Sequence, residues 1–337
     1  AVAGALREVG FFALEGHGIE PDAIEALYAV AGQVFALPEA DKLACERAEL
    51  MGQRGYTSFG VEHAKDTAAP DLKEFWHVGR SDPPQPKPLN NRFPLEVPAF
   101  EQELSQLFGL FEAHAMVVLT ALERHLGCPT GALTEMAWGG NSVVRLIHYP
   151  PLPEHMPEGA LRASEHEDIN LITLLPVATE PGLEIQTRDG QWLAVRTPPD
   201  VLLCDTGDMM AYFTAGRLPA TTHRVVNPSG AAGRAPRYSM PFFCHPRPEA
   251  VLAPMRGDAT PITAGALLQR RLEEIAAREE DARVAAEEEA RAAAEEEARA
   301  AAEAQARLEA EEMARLEAEA AEKRRLEEVA AREEDAR

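Results

Sequence analysis

Apolar residues recur at helical spacing in two stretches of the first half, PDAIEALYAVAGQVFA at 21–36 and AFEQELSQLFGLFEAHAMVVLTALERHL at 99–126. Recurrence at three and four residues predicts amphipathic helices. Pro21 and Pro98 stand where such helices can begin, because proline fits a first helical turn. Between them, 51–98 reads as loop-rich, and SDPPQPKPLNNRFP at 81–94 is too proline-rich for regular structure. From Asn141 the pattern shortens to strand-like runs: NSVVRLIHY, INLITLL, GLEIQTRDGQWLAV, DVLLCDTGDMMAYF, TTHRVV and RYSMPFF. RDG between LEIQT and QWLAV is a hairpin signal. Close-spaced short strands predict a sandwich, barrel or jelly roll. The pattern therefore divides 1–269 into a helical part, 1–140, and a strand-rich part, 141–250.

A different pattern starts at Arg270. Beyond it there is no Gly, Pro, Trp, Tyr or Phe, and composition collapses to Ala, Glu and Arg with a few Leu. RRLEEIAAREEDAR at 270–283 returns as RRLEEVAAREEDAR at 324–337, and a basic residue recurs every eight positions at Arg283, Arg291, Arg299, Arg307, Arg315 and Lys323. Glu287, Glu295, Glu303 and Glu311 each precede an arginine by four residues, the order that supports a helix by ~0.2–0.5 kcal/mol per pair. One long helix of about 100 Å is expected at 270–337. An eight-residue repeat drifts around a helix and builds no straight seam. Leu272, Ile275, Leu308, Leu316, Leu326 and Val329 are too sparse for sustained coiled-coil heptads. The tail reads as a solvated spacer, with weak coiled-coil self-association as the alternative.

Length and charge narrow the classes. A chain of 337 residues has room for about two domains and a sizeable core. The net charge of −23 repels nucleic acid and anionic membrane, so neither is an expected partner. No run approaches the ~18 apolar residues of a membrane span, and no secretory signal is visible. The chain begins without Met, so a truncated N-terminus is expected. Cys45, Cys128, Cys204 and Cys244 lie far apart with no CxxC pair, which argues against a thiolate zinc site or a disulfide scaffold. A cytoplasmic location is the expectation.

Candidate chemistry gathers in the strand-rich part. In RASEHEDINLITLLP, His166 and Asp168 stand two apart beside a strand, and His223 lies in ATTHRVVN. Alternation puts the first two on one face. Two histidines and one carboxylate are the donor set that holds Fe(II) and leaves positions open; zinc accepts the same donors. Arg237 and Ser239 in PRYSMPFF are also two apart, and a guanidinium beside a hydroxyl suits a carboxylate. Tyr149 ends a strand just before two prolines. His63, His77, His114 and His125 lack such context and read as ordinary helix or surface residues.

In this order the motifs resemble the isopenicillin N synthase-like branch of the Fe(II)/2-oxoglutarate-dependent oxygenases. The likeness runs from GFFALEGHGI at 10–19 through HYPPLP, HEDINLITLLP, GDMMAYFTAGRLPATTHRVV and RYSMPFF, covering nearly all of 1–269. It implies a mainly β fold, a double-stranded β-helix (jelly roll) with flanking helices, here followed by the long C-terminal helix. It also implies His166, Asp168 and His223 as iron ligands, and Arg237 and Ser239 on the distal carboxylate of 2-oxoglutarate, joined by Tyr149. The cofactors would be Fe(II), 2-oxoglutarate and O2. The implied reaction is oxidation of a C–H bond of a small molecule (hydroxylation, desaturation or cyclisation) with release of succinate and CO2, and no essential side-chain base. Ile147 stands where plant members often carry an Asn that touches the cosubstrate, and the chain opens after the family's usual first strand. Because Asp168 is present, the chloride-binding variant is not expected. Isopenicillin N synthase itself uses no 2-oxoglutarate yet carries an RxS-type motif, so an oxidative cyclase without cosubstrate is one alternative. A scaffold protein with a passive oxygenase-like domain is the other. Arg54, Tyr56, Phe75 and Arg217 are candidate substrate contacts.

Overall fold

The structure, a computed structural model, describes residues 2–50, 52–62, 70–81, 90–153, 156 and 159–335. Most of the proline-rich segment, His63 and the last two residues of the second tail repeat lie outside the described residues.

The first half alternates helices with strands: α1 (Val2–Glu8), β1 (Phe11–Glu15), α2 (Pro21–Phe35), α3 (Glu39–Leu43), β2 (Gly55–Thr57), β3 (Glu74–Gly79), α4 (Ala99–Leu126) and α5 (Thr134–Ala137). The two expected helices form where the periodicity put them. In α2 the buried Ile24, Leu27, Tyr28, Ala31 and Val34 share one face. Along α4, Phe100, Leu104, Leu107, Phe111, Ala115, Leu119 and Leu122 are buried. Gly127 ends α4 at φ 72°, a left-handed turn that glycine enters without a Cβ penalty. By length and composition α4 could cross a membrane; here its apolar face lies in the main core beside Phe242 and Trp76.

Reading 1–140 as helical and 51–98 as loop-rich needs correction. β1, β2 and β3 all join the larger sheet. β3 (EFWHVG) is buried along its whole length, so it shows no polar–apolar alternation for a period of two to reveal.

Beyond α5 come β4 (Val143–Tyr149), β5 (Ala163–His166), β6 (Ile172–Leu175), β7 (Leu183–Gln186), β8 (Trp192–Ala194), β9 (Val201–Thr206), α6 (Asp208–Phe213), β10 (His223–Val225), β11 (Arg237–Ser239), β12 (Phe242–Cys244), β13 (Val251–Leu252), β14 (Ile262–Thr263) and α7 (Ala264–Asp335). The larger antiparallel sheet runs β1-β9-β6-β12-β4-β3-β2, with β11 also on β4; the smaller runs β5-β10-β7-β8. This is the jelly roll. RDG turns the hairpin between β7 and β8, with Gly190 at φ 80°. GDMMAYF forms the helix α6 rather than extending β9. Gly207 stands at the break and must be glycine: a Cβ there would lie 2.5 Å from the Asn170 carbonyl oxygen and 2.6 Å from that of Asp168.

The chain divides into two units, Ala1–Glu280 and Asp281–Arg337. Composition changes at 269/270, yet the first turns of α7 belong to the first unit. Leu267 is buried and Leu268 packs against the main core, and past the boundary Leu272 and Ile275 line a cavity of that unit, so apolar contact outlasts the compositional change. In the second unit, Arg291–Glu295, Arg299–Glu303 and Arg315–Glu319 form ion pairs with the arginine first. That is the reverse of the order expected from sequence and the weaker one. Their exposure makes each worth little. Val284, Met313 and Leu316 are exposed.

Candidate active site

Two strands of the smaller sheet carry the histidines. His223 on β10 lies directly opposite His166 on β5, and the rings are 4.4 Å apart between centroids. Asp168 follows β5, and its carbonyl oxygen accepts from the amide of Asp208 at the start of α6 (2.7 Å). One ligand atom from each of His166, Asp168 and His223 lies within 4.8 Å of the others. His223 Nε2 is 4.0 Å from Asp168 Oδ1.

The orientation of each ligand has a cause. His166 Nδ1 sits 2.7 Å from the Ser164 carbonyl oxygen and His223 Nδ1 3.0 Å from that of Thr221. A carbonyl only accepts, so the proton resides on Nδ1 and the Nε2 lone pair is free for a metal. Burial, with His223 alongside, pushes His166 down to about 3, which keeps the ring neutral and ready to ligate. Phe11 of β1 meets the His223 ring edge-on at 5.8 Å. Asp168 Oδ2 accepts from the Thr173 hydroxyl.

A second cluster gathers around β11. Arg237 pairs with Tyr149 across β4, and Ser239 with Ile147, so the sequence-derived trio comes together. The guanidinium lies 4.9 Å above the Tyr149 ring. Arg237 is 2% exposed. Its Nε donates to the Glu180 carbonyl oxygen (2.9 Å), while its buried Nη1 has no partner among the described residues. A buried cation with an unfilled donor is costly and fits an incoming carboxylate. The residues therefore fit both groups that the motifs imply, the iron and 2-oxoglutarate.

Sequence reading missed Arg162. It is 0% exposed; Nη2 donates to the Ala235 carbonyl oxygen (3.0 Å), whereas Nε and Nη1 are unpartnered. Burial, with Arg237 nearby, lowers its pKa. Counting back from His166 by twos gives Ser164 and Arg162, so strand alternation carried the signal.

Next to the metal cluster, a pocket of about 190 Å³ is lined by His166, Asp168, Lys73, Glu62, Arg145 and Leu272, among others. A larger cavity of about 600 Å³ shares Glu62, Arg145, Ile169, Phe243, Leu272 and Ile275 with it. Tyr56 and Phe75, two of the candidate substrate contacts, line this cavity. Arg54 does not; it donates to Asn141 Oδ1 (2.8 Å). Arg217 lies at the end of α4, on the Leu126 carbonyl oxygen. His77, read as ordinary, is a cavity residue, as is His245. The wall charges pair among themselves. Glu62 meets Lys73 (2.6 Å) and Arg145 (3.1 Å), which hold it well below the usual carboxylate range against the opposing cost of burial. Arg145 lies 4.2 Å from the Phe75 ring centroid and 5.3 Å from that of Phe243.

A jelly roll that brings two histidines and one aspartate together and also buries an unfilled guanidinium fits a non-haem metal oxygenase. The comparisons make the class specific. Residues 1–99 match the profile of the non-haem dioxygenase in morphine synthesis N-terminal domain, and residues 140–246 that of the 2OG-Fe(II) oxygenase superfamily. The 2-oxoglutarate-dependent dioxygenase citB of Monascus ruber is 31% identical over 260 residues, 72% of this chain and 76% of that protein. Among solved structures, a 2OG-Fe(II) oxygenase family protein from Caulobacter crescentus superposes with a TM-score of 0.72 at 38% identity, covering 81% and 92% of the two chains. A full-length Neurospora crassa protein, crystallised in complex with alpha-KG, superposes with a TM-score of 0.72 at 26% identity, covering 81% and 88%. The chain belongs to the 2OG-Fe(II) oxygenase superfamily, and is an Fe(II)/2-oxoglutarate-dependent dioxygenase.

Proposed function

We propose that His166, Asp168 and His223 hold the Fe(II), that Arg237, Ser239 and Tyr149 bind the distal carboxylate of 2-oxoglutarate, and that the joined cavities receive a small molecule whose C–H bond is oxidised. The convergence of three ligand atoms within 4.8 Å, with a buried unpartnered Arg237 donor in the same barrel, carries this reading. With 2-oxoglutarate and O2, the bound iron supplies the oxidising power, and the cosubstrate leaves as succinate and CO2.

The chain's own residues bind, orient and exclude water. Ser164 and Thr221 fix the two imidazoles through their carbonyl oxygens. Arg237 offers a charge-assisted hydrogen bond where water is excluded, so the interaction is stronger than at the surface. The cavity of about 600 Å³ is within the size range of small-molecule sites. Tyr56, Phe75, Val61, Leu272 and Ile275 give it apolar walls. With Glu62, Lys73 and Arg145 already paired, the wall favours an uncharged, largely apolar substrate.

Two further readings accompany the enzyme. The four cysteines are free thiols, which supports a reducing, cytoplasmic location. The Ala/Glu/Arg helix beyond residue 280 supports weak self-association at most, because its described apolar residues are sparse.

The test is Fe(II)-dependent conversion of 2-oxoglutarate to succinate by the purified chain, with His223→Ala as control. Turnover that needs iron and vanishes in the variant is the expected result. Succinate formation that survives His223→Ala contradicts the assignment.

A further inference from the structure

The iron reading leaves open what holds the carboxylate ligand. Each histidine ligand has a fixed second contact on a backbone carbonyl. Among the described residues, no backbone group anchors the Asp168 side chain in this way; its Oδ2 accepts from the hydroxyl of Thr173, five residues on. Thr173 lies in β6, in the larger sheet, across from the strands that carry the histidines. It is 4% exposed.

The direction of this hydrogen bond is enforced. A threonine hydroxyl has one proton to give and two lone pairs that accept. Asn170, fully buried, donates from Nδ2 to Thr173 Oγ1 at 2.9 Å. With that lone pair filled, the hydroxyl proton turns to Asp168. On the neighbouring strand, Asp205 stands opposite Thr173 in the β6–β9 register. Its side chain also reaches that of Thr173, so the Thr173 hydroxyl lies between two carboxyl groups, and Asp168 is the one it meets closely. Occupying Oδ2 fixes the carboxylate's rotation and leaves Oδ1 facing His223 Nε2, 4.0 Å away.

We infer that Thr173, itself oriented by Asn170, is the positioning residue of the metal centre, and that its hydroxyl makes Asp168 present a single oxygen to the metal. The inference rests on the proposed iron ligands. One-oxygen ligation matters because the cosubstrate and O2 need the remaining positions open. The connection also explains why a metal site built mainly on the smaller sheet depends on a residue of the larger one.

The test is anaerobic titration of the full-length chain with Co(II), followed by its visible absorption and by calorimetry, with no turnover required. Groups that orient a metal ligand typically account for 10–100-fold in affinity. Thr173→Val, which keeps the shape and removes the hydroxyl, should weaken Co(II) binding by about 10–100-fold. Thr173→Ser should stay within about threefold of the parent. Asn170→Ala should fall between them, and it carries the test if Thr173→Val does not fold, as judged by the melting of the metal-free proteins. Parent-like affinity in folded Thr173→Val, or an equal loss in Thr173→Ser, overturns the inference alone. A parent chain that takes up no Co(II), or takes it up equally as His223→Ala, overturns the iron reading and this inference together.

Discussion

The two ends of the active site solve the same problem in opposite ways. At the proposed metal end each candidate ligand is already satisfied on its far side: two imidazoles by carbonyl oxygens, and Asp168 by Thr173. Only the lone pairs that face one another are left free. At the Arg237 end some donors are left unfilled: among the described residues, Arg237 Nη1 and Arg162 Nε and Nη1 are buried without partners. The first end is pre-organised by these contacts. The second holds uncompensated positive charge, which only an anion relieves. The contrast teaches that metal loading and cosubstrate loading should affect stability differently.

Substitutions that empty one end should separate them. The largest effect is expected from His223→Ala, with loss of stoichiometric Fe(II) binding in anaerobic titration and at least a thousandfold loss of succinate formation. Next is Arg237→Met, which should leave iron affinity within a few-fold and weaken 2-oxoglutarate binding by about a hundredfold, consistent with ~1.5–3 kcal/mol per charged hydrogen bond. Its metal-free form should melt no lower than the parent, since a buried unpaired cation has gone. A clear drop in that melting temperature would remove the contrast between the two ends.

The cavity wall sharpens the comparison, because it belongs to neither end. A chain ending at Glu280 should keep its melting temperature and its 2-oxoglutarate turnover. One ending at Gln269 loses Leu272 and Ile275 from the wall and should melt about 5 °C lower or more, given ~1.5–3 kcal/mol per buried aliphatic side chain. The smallest effect concerns acid. Burial, with Arg54 and Arg145 nearby, pushes His245 down to about 4, below the unfolded value of about 6.5. Between those values the unfolded chain binds more protons, so stability rises with pH and is lost as pH falls from about 6.5 to 4. His245→Gln should flatten that slope in urea unfolding measured across this window.

Much of this was legible in the sequence, and the reasons are physical. The helices 21–36 and 99–126 carry a one-sided apolar stripe, and both formed as read. His166, Asp168 and His223 were singled out as a two-histidine, one-carboxylate donor set and through the family resemblance; the strand that carries His166 ends there, and Asp168 lies just beyond it. Arg237 and Tyr149, remote in sequence, proved to be direct cross-strand partners. β3 was missed because EFWHVG is buried throughout and its charged and aromatic residues mask any period. The DMMAYF stretch looked like strand because its apolar run is as short as a strand's. Glu62, Lys73, Arg145 and His245 escaped notice, and His77 was read as ordinary, for another reason: they come from loop and strands scattered over the chain, and only closure of the sheets gathers them around the two neighbouring pockets. Arg162 was within reach, since the alternation that linked His166 to Asp168 also runs backward.

The metal cluster and the Arg237 clamp are proposed to act as one site for iron and 2-oxoglutarate. Anaerobic Fe(II) loading of the full chain, followed by 2-oxoglutarate, tests it by the visible spectrum. The account predicts one equivalent of iron and a weak charge-transfer band on adding 2-oxoglutarate. In Arg237→Ala, at the same cosubstrate concentration, the band should be lost while iron stays bound. An undiminished band in Arg237→Ala, or no iron uptake by the parent chain, would contradict the account.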